Sequence, residues 1–213
     1  MYNFLKYLSI GLTLALAVSG CNLTNPTNTA VRLVDVPHLG NGSGTVISPG
    51  YVLTVKHVAI ASKLAPMYIE PGHIKVTGYI SSPDYDLAVL IAPGVECPCA
   101  KLASDIPNIG DKTTTIGFPL NNSIVIQLTT AGKLQGWRNE MIAATDASTF
   151  GNSGGATFDS YGQLIGVLVQ VPMQIVPQGI FGGIGVPLNY LSYSVSVNTV
   201  RQFLKEYFVP FNG

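Results

Sequence analysis

Charged residues are scarce in this chain of 213 residues. Asp, Glu, Lys and Arg make up 10% of it, against roughly 25% in an average soluble domain. The 11 basic and 11 acidic side chains balance to a formal net charge of zero. Because nucleic acids and anionic membrane surfaces are bound through clustered Lys and Arg, we expect no nucleic acid partner. The 47% of hydrophobic residues is enough to bury a core, which argues against disorder.

The N-terminal apolar stretch is too short to cross a bilayer. Tyr7–Val18 has 12 residues and follows Lys6, whereas a transmembrane helix needs roughly 20, so residues 1–20 are typical of a signal peptide. The segment Val18-Ser19-Gly20-Cys21 resembles the lipobox of bacterial lipoproteins, in which the cysteine is acylated and becomes the first mature residue. We therefore expect an exported, envelope protein held at the outer membrane or periplasmic face by a lipid on Cys21. The alternative is a secreted protein cut nearby.

Cysteine and histidine are too few and too scattered for a structural zinc site. The three histidines have no zinc-ligand spacing, and we expect neither a metal nor a cofactor. Cys97 and Cys99 flank Pro98. Export permits a disulfide, but the ring would be short, and the sequence leaves their redox state open.

Long helical periods are also missing from most of the chain. Residues 21–30 are polar with one proline, which is typical of a flexible tether. From residue 31, short runs rich in β-branched residues alternate with turn signals such as Ser48-Pro49-Gly50, and this pattern predicts an all-β fold. A polar turn at residues 107–110 divides the chain into 31–106 and 107–213.

One helix is predicted, near the C-terminus. Ser196 or Asn198 is suited to cap it. Its apolar stripe recurs at helical spacing and comprises Val200, Phe203, Leu204, Tyr207 and Phe208.

Three short segments carry reactive side chains. His57 ends the apolar segment 52–55, Asp86 leads into Leu87-Ala88-Val89-Leu90, and Ser153 lies within Gly151-Asn152-Ser153-Gly154-Gly155. Alone, each has an ordinary structural interpretation as a strand end, a turn or a loop. Together they supply an imidazole base, a carboxylate to orient it, a hydroxyl nucleophile and backbone N–H groups for an oxyanion. The order His, Asp, Ser along the chain matches one of three known arrangements of this triad.

On these segments the chain resembles the trypsin-like (chymotrypsin-fold) serine peptidases, most closely the bacterial HtrA/DegP branch. The resemblance spans roughly residues 40–208 and includes Thr145-Asp146-Ala147 and Ile184-Gly185-Val186-Pro187. It implies two six-stranded antiparallel β-barrels, together one peptidase domain over residues 31–213, and a C-terminal helix. It also implies a triad of His57, Asp86 and Ser153, with the N–H groups of Gly151 and Ser153 as the oxyanion hole. Asp86 is preferred to Asp84 because it directly precedes the strand.

The chain departs from that family at several positions. Lys56 precedes the base, and a cation beside an imidazole disfavours its protonated form. The segment Ser148-Thr149-Phe150 is one residue shorter than the HtrA loop, which leaves open how the oxyanion hole is built. We expect no PDZ domain, and Asn152 in place of an aspartate predicts that activation by cleavage is unnecessary.

Substrate preference follows from the same resemblance. Ala147 stands where basic-specific relatives carry an acid, so cleavage after Lys or Arg is disfavoured. Small or medium apolar side chains are expected before the cleaved bond. The residues expected to bind them are Ala147, Val167, Leu168, Val169 and Gly185.

The sequence therefore predicts a serine endopeptidase acting on polypeptide substrates through an acyl-enzyme. One alternative is a catalytically silent lipoprotein of the same fold that serves as a binding module. Another is an esterase, which would share the chemistry. The oligomeric state is not predicted.

Overall fold

The computed structural model describes residues 29–120, 126–138, 140–170, 173–177 and 183–213. The predicted signal peptide, Cys21 and most of the predicted tether lie outside these residues. Ala30, at the end of that tether, is fully buried in the main hydrophobic core, so this end of the segment is part of the fold. No helix within the described ranges has the length and apolarity needed to span a membrane.

The N-terminal half forms one antiparallel sheet of seven strands, in the order β5-β4-β1-β2-β3-β7-β6. Its strands are β1 Val31–Val36, β2 Gly40–Ser48, β3 Tyr51–Thr54, β4 Tyr68–Glu70, β5 Ile74–Lys75, β6 Gly78–Ser81 and β7 Ala88–Ile91. The sheet curls on itself without a hydrogen-bonded ladder between β5 and β6. The two residues between these strands explain why, since the N–H of Val76 donates to Met67 O and that of Thr77 to Ile91 O.

The C-terminal half contains a closed six-stranded barrel, in the order β10-β15-β12-β11-β8-β9. Its strands are β8 Lys112–Gly117, β9 Leu128–Arg138, β10 Met141–Ala144, β11 Ala156–Phe158, β12 Leu164–Gln170 and β15 Ser192–Ser196. A separate hairpin pairs β13 Met173–Pro177 with β14 Gly183–Pro187. The predicted all-β class is thus confirmed, with a closed barrel in this half and a curled seven-stranded sheet where a second six-stranded barrel was expected.

Two α-helices complete the described elements. Helix α1, Lys56–Ala59, continues into a 3₁₀ turn, Ile60–Lys63, where the sequence indicated only the end of a strand. Helix α2, Val197–Glu206, buries Val200, Phe203 and Leu204, as the apolar stripe predicted. Phe208 does not extend that stripe, because it lies past the end of the helix at φ 54° and is 92% exposed.

One hydrophobic core spans both halves. Ile47, Leu53 and Leu87 from the first half cluster with Phe158 and Leu164 from the second. Burial of apolar surface is the main favourable contribution to folding, so the two halves stabilise each other. In the connection between β7 and β8, Cys97 and Cys99 form a disulfide, which answers the question that the sequence left open.

Candidate active site

His57 and Asp86 meet at one edge of the first sheet. Strands β3 and β7 are antiparallel neighbours, with Thr54 opposite Ala88. The residues just after β3 and just before β7 are therefore brought together. His57 Nδ1 lies 2.7 Å from Asp86 Oδ2, and the backbone N–H of His57 donates to Asp86 Oδ1 at 3.0 Å. One carboxylate thus holds both the ring and the backbone of His57.

This geometry keeps the carboxylate ionised. Burial raises the pKa of Asp86, but the ring and backbone hydrogen bonds from His57, the charge of His57 and a bond from the Lys56 N–H together lower it below its usual range. A hydrogen bond to the charged form of an acid favours that form. Asp86 is therefore an anion at neutral pH, able to stabilise a positive charge on the imidazole.

The neighbouring charged residues face elsewhere. Lys56 Nζ donates to Pro83 O at 3.2 Å, which ties the cation to the loop before Asp86. Asp84 is exposed, and its backbone N–H donates to Ser82 Oγ. Of the two aspartates in this loop, Asp86 is the one that contacts His57.

Ser153 lies in a tight turn between β10 and β11. Gly151 and Gly154 flank it with φ values of 90° and 86°, a left-handed region that favours glycine. A Cβ on Gly154 would lie 2.1 Å from Ser43 O, so a side chain there is sterically excluded. The turn presents Ser153 to a cavity of about 400 Å³ that His57 also lines. In this structure Ser153 Oγ donates to Val169 O at 3.3 Å, and it forms no hydrogen bond with His57.

The backbone around Ser153 leaves two donors free. Neither Gly151 N–H nor Ser153 N–H has an acceptor among the described residues. The carbonyl of Phe150 accepts from Leu120 N–H at 2.7 Å. Since N–H and C=O of a trans peptide point in opposite directions, this bond directs Gly151 N–H away from Leu120.

Ser43 of β2 connects the first half to this turn. Its N–H donates to Ser153 O at 2.8 Å. Its hydroxyl donates to Gly151 O at 2.9 Å and accepts from Phe118 N–H at 2.8 Å. Two bonds from Ser43 therefore position the segment that carries both free N–H groups, and the third ties Ser43 to the end of β8.

The residues predicted to bind substrate are only partly gathered at the cavity. Leu168 and Val169 line it, whereas Val167 is fully buried in the core, packed in the barrel next to β11. Ala147 is exposed outside the lining, and its carbonyl accepts from Thr130 Oγ1. Gly185 is exposed in β14, beside the Met173 side chain. Sequence reasoning missed three lining residues, Thr149, Phe150 and Met173.

Asp146, next to the exposed Ala147, is fully buried. Thr113 Oγ1 and Thr115 Oγ1 donate to its two carboxylate oxygens at 3.0 and 2.7 Å. Thr115, Thr157 and Ser194 continue this network through the barrel. Burial raises the pKa of Asp146 above its usual value, and the two threonine hydroxyls only partly offset this.

No described cluster of three or more His, Cys, Asp or Glu side chains has the geometry to hold a metal ion. The groups that the structure brings together have the chemistry that acyl transfer requires: an imidazole oriented by a carboxylate, a hydroxyl in the same cavity and two free N–H donors.

Comparison with known proteins gives the same kind of assignment. Residues 42–167 match the family described as "Trypsin-like peptidase domain". The chain is 31% identical over 180 residues to the "Probable periplasmic serine protease do/HhoA-like" of Haemophilus influenzae, covering 78% of this chain and 37% of that protein. It is 33% identical over 162 residues to the "Periplasmic pH-dependent serine endoprotease DegQ" of Escherichia coli, covering 70% and 34%. The chain thus spans little more than a third of the length of these relatives.

Solved structures share the fold. The active form of Rv3671c protease from M. tuberculosis superposes with a TM-score of 0.67 at 18% identity, covering 88% of this chain and 84% of that one. The inactive form gives a TM-score of 0.65 at 19% identity, covering 84% and 89%. At these identities the likeness establishes the architecture of the chain.

Proposed function

The chain belongs to the trypsin-like peptidase domain family, and from this we propose that it is a serine endopeptidase that cleaves polypeptides through an acyl-enzyme. The observation that carries the proposal is the hydrogen-bonded pair of His57 and Asp86 facing the cavity of Ser153. A curled sheet and a barrel that share one core hold these groups on either side of the cavity.

In the proposed mechanism Ser153 Oγ attacks the carbonyl carbon of the substrate while His57 Nε2 takes its proton. The imidazolium then gives that proton to the amine as the C–N bond breaks. A water molecule, activated by the same nitrogen, hydrolyses the acyl-enzyme and restores the Ser153 hydroxyl. Asp86 accepts the hydrogen bond of Nδ1–H, which leaves Nε2 unprotonated and free to act as the base. The Ser153 hydroxyl must first break its hydrogen bond with Val169 O, 3.3 Å away, and rotate towards His57. This is a change of side-chain rotamer, a motion of picoseconds to nanoseconds in exposed residues.

The oxyanion is assigned to the N–H groups of Gly151 and Ser153. Two preorganised donors stabilise the charge that develops on the substrate oxygen, and losing one typically costs about 10²- to 10³-fold in kcat. The bond from Leu120 to Phe150 and the bonds from Ser43 support this role, because they fix the peptide planes on both sides of Gly151. The shorter loop before Gly151 is thus compatible with a formed oxyanion hole.

For the residue before the cleaved bond we propose a preference for small or medium apolar side chains. Leu168, Val169, Phe150 and Met173 form most of the cavity wall, and none of the described residues that line it carries a carboxylate. A Lys or Arg side chain would lose hydration there without gaining a partner of opposite charge.

We place the protein in the cell envelope. The curated relatives are named as periplasmic, and residues 1–20 have the pattern of a signal peptide. The lipid anchor on Cys21 remains part of this proposal, and mass spectrometry of the mature N-terminus tests it.

A fluorophosphonate probe tests the chemistry, because it reacts with an activated serine hydroxyl. We expect it to label Ser153 in the folded protein and to leave Ser153→Ala unlabelled. Mass spectrometry of products from a proteome-derived peptide mixture then gives the preference before the cleaved bond. Absence of labelling and of cleavage would favour the silent binding module.

A further inference from the structure

The disulfide between Cys97 and Cys99 has no part in the mechanism so far. It lies in the connection between β7 and β8 and encloses a single residue, Pro98. Cys97 and Pro98 are exposed, whereas Cys99 is half-buried and packs against a hydrophobic cluster of the first half. The bond is therefore accessible to other molecules on its Cys97 side.

This bond contributes little to the stability of the fold. In the chain-entropy model a disulfide stabilises a protein by restricting its unfolded chain, and the effect decreases as fewer residues are enclosed. A ring that encloses one residue restricts the unfolded chain very little. Stabilisation of the fold is thus a weak explanation for the pair.

The backbone on either side of the pair is held without the disulfide. Val95 O accepts from Gly50 N–H at 2.8 Å, and Ala100 N–H donates to Val46 O at 2.7 Å. Both Val95 and Ala100 are buried. Within the described part of the chain, residues 96–99 make no hydrogen bond. Reduction would leave the two anchors in place, and the fold would keep the two thiols close together.

From this arrangement we propose that Cys97 and Cys99 form a thiol–disulfide exchange site that oxidises pairs of thiols in polypeptides. Exposed disulfides with little structural role are the labile and reactive ones. The cell envelope, where we place the protein, is a compartment in which such exchange operates. This activity goes beyond the proposed peptidase and does not depend on it.

The exchange site lies away from the catalytic pair. That pair adjoins the end of β3 and β7 where Thr54 is opposite Ala88. The connection that carries the disulfide leaves from the other end, where Tyr51 is opposite Ile91. The two ends are about 10 Å apart, at roughly 3.3 Å per residue. Exchange and cleavage would therefore use separate surfaces.

Exchange begins when a substrate thiolate attacks Cys97 Sγ, the exposed sulfur. The bond to Cys99 breaks, and its electron pair leaves on Cys99 Sγ, which takes a proton. The second substrate thiolate then attacks the substrate sulfur bound to Cys97, which forms the substrate disulfide and releases the Cys97 thiol. Each substrate thiol has lost one proton, and two electrons have passed to the pair. A small-molecule disulfide, such as oxidised glutathione, takes these electrons and restores the bond.

A peptide with two cysteines tests the activity. The full-length Ser153→Ala variant prevents cleavage by the proposed peptidase, and oxidised glutathione serves as the final oxidant. The control adds Cys97→Ser and Cys99→Ser to this variant and retains Cys21. Catalytic amounts of protein should form the peptide disulfide about tenfold or more faster than the control, measured by mass spectrometry after an acid quench. Equal rates would overturn the proposal.

Single variants assign the attacked sulfur. Reduced Cys99→Ser presents the exposed thiol alone and should trap a disulfide-bonded peptide on Cys97 as a mixed disulfide. Cys97→Ser retains only the half-buried thiol, so its trapping should be slower by about tenfold. Faster trapping by Cys97→Ser would contradict attack at Cys97.

A stability measurement distinguishes an exchange site from a structural disulfide. The free energy of unfolding of Ser153→Ala is measured in urea with the pair oxidised and with the pair reduced. We expect the two urea midpoints to lie close together, because the enclosed ring is short. Unfolding on reduction would show that the bond is structural and would overturn the proposal. Fluorophosphonate labelling of Ser153, which involves neither cysteine, decides the peptidase separately.

Discussion

At the scale of single residues, Asp86 is the position where the smallest chemical change is expected to cost the most activity. Both of its oxygens bond His57, one to the ring and one to the backbone. Asp86→Asn replaces an acceptor by a donor at the ring and disfavours the tautomer in which Nε2 is the base. We predict a fall in kcat of roughly 10⁴-fold, measured by steady-state kinetics on the best peptide substrate. Asp84→Asn is the control, and a comparable loss in that variant would contradict the assignment.

The stability of the folded protein is expected to depend on pH through the buried carboxyl of Asp146. Its pKa is raised in the folded protein, so the folded state binds more protons than the unfolded state between the two pKa values. The free energy of unfolding must then decrease as pH rises from the usual aspartate pKa, about 3.9, through the folded value. Asp146→Asn removes this dependence.

Urea denaturation of both proteins across the acidic range checks the prediction for Asp146. The free energy of unfolding of the parent minus that of Asp146→Asn should fall with rising pH. A difference that is constant, or that rises, would show that the carboxyl is not held in its neutral form by burial.

At the scale of elements, the structure identifies the N-cap residue of helix α2, which the sequence left open. Ser196 or Asn198 was a suitable cap, and the structure assigns Ser196, whose Oγ accepts from Thr199 N–H. Ser196→Ala is predicted to lower the free energy of unfolding by about 1 kcal/mol, measured by chemical denaturation. Asn198→Ala removes only an exposed contact with Asp105 and should cost less. The reverse order would contradict the capping assignment.

The elements themselves were predictable to different degrees. Runs of β-branched residues indicated β2, β3 and β12, because pleated, half-buried surfaces favour them. The helical turns at residues 56–63 were not predicted, since a four-residue helix shows no period. The end of α2 was misjudged because Phe208 continues the apolar spacing although the backbone has already turned.

At the scale of the whole molecule, Ser43 couples the two halves. Ser43→Ala keeps its backbone bond to Ser153 but leaves Gly151 O and Phe118 N–H without their hydroxyl partner. Leaving such groups unpaired typically costs about 1–3 kcal/mol. We predict slower fluorophosphonate labelling of Ser153 and a lower free energy of unfolding.

Ser62→Ala is the control for Ser43, because its hydroxyl bonds only Ala59 O within the same turn. It should leave the labelling rate close to that of the parent. Equal labelling rates in Ser43→Ala and the parent would show that the turn holds its geometry without this contact.

The reactive side chains of the candidate site were easier to predict from the sequence than the residues that line its cavity. Three motifs named His57, Asp86 and Ser153, and the adjacency of β3 and β7 explains why the first two meet. Phe150 was noted only for the length of its loop, and Met173 lies in β13, opposite the strand that carries the Ile184–Pro187 motif. Their position at the cavity depends on long-range packing.

The contacts of Ser43 with residues 118, 151, 153 and 154, here called the seam between the two halves, have an evolutionary consequence. The Ser43 carbonyl leaves room only for a glycine at position 154. The Ser43 hydroxyl donates to Gly151 O and accepts from Phe118 N–H, both in the opposite half. Because Gly151 O and Phe118 N–H are backbone groups, a recombinant that joins residues 31–106 of one homologue to the remainder of another is expected to keep this seam wherever position 43 is serine and position 154 is glycine. Two positions, one in each half, thus carry most of the restriction that selection meets there.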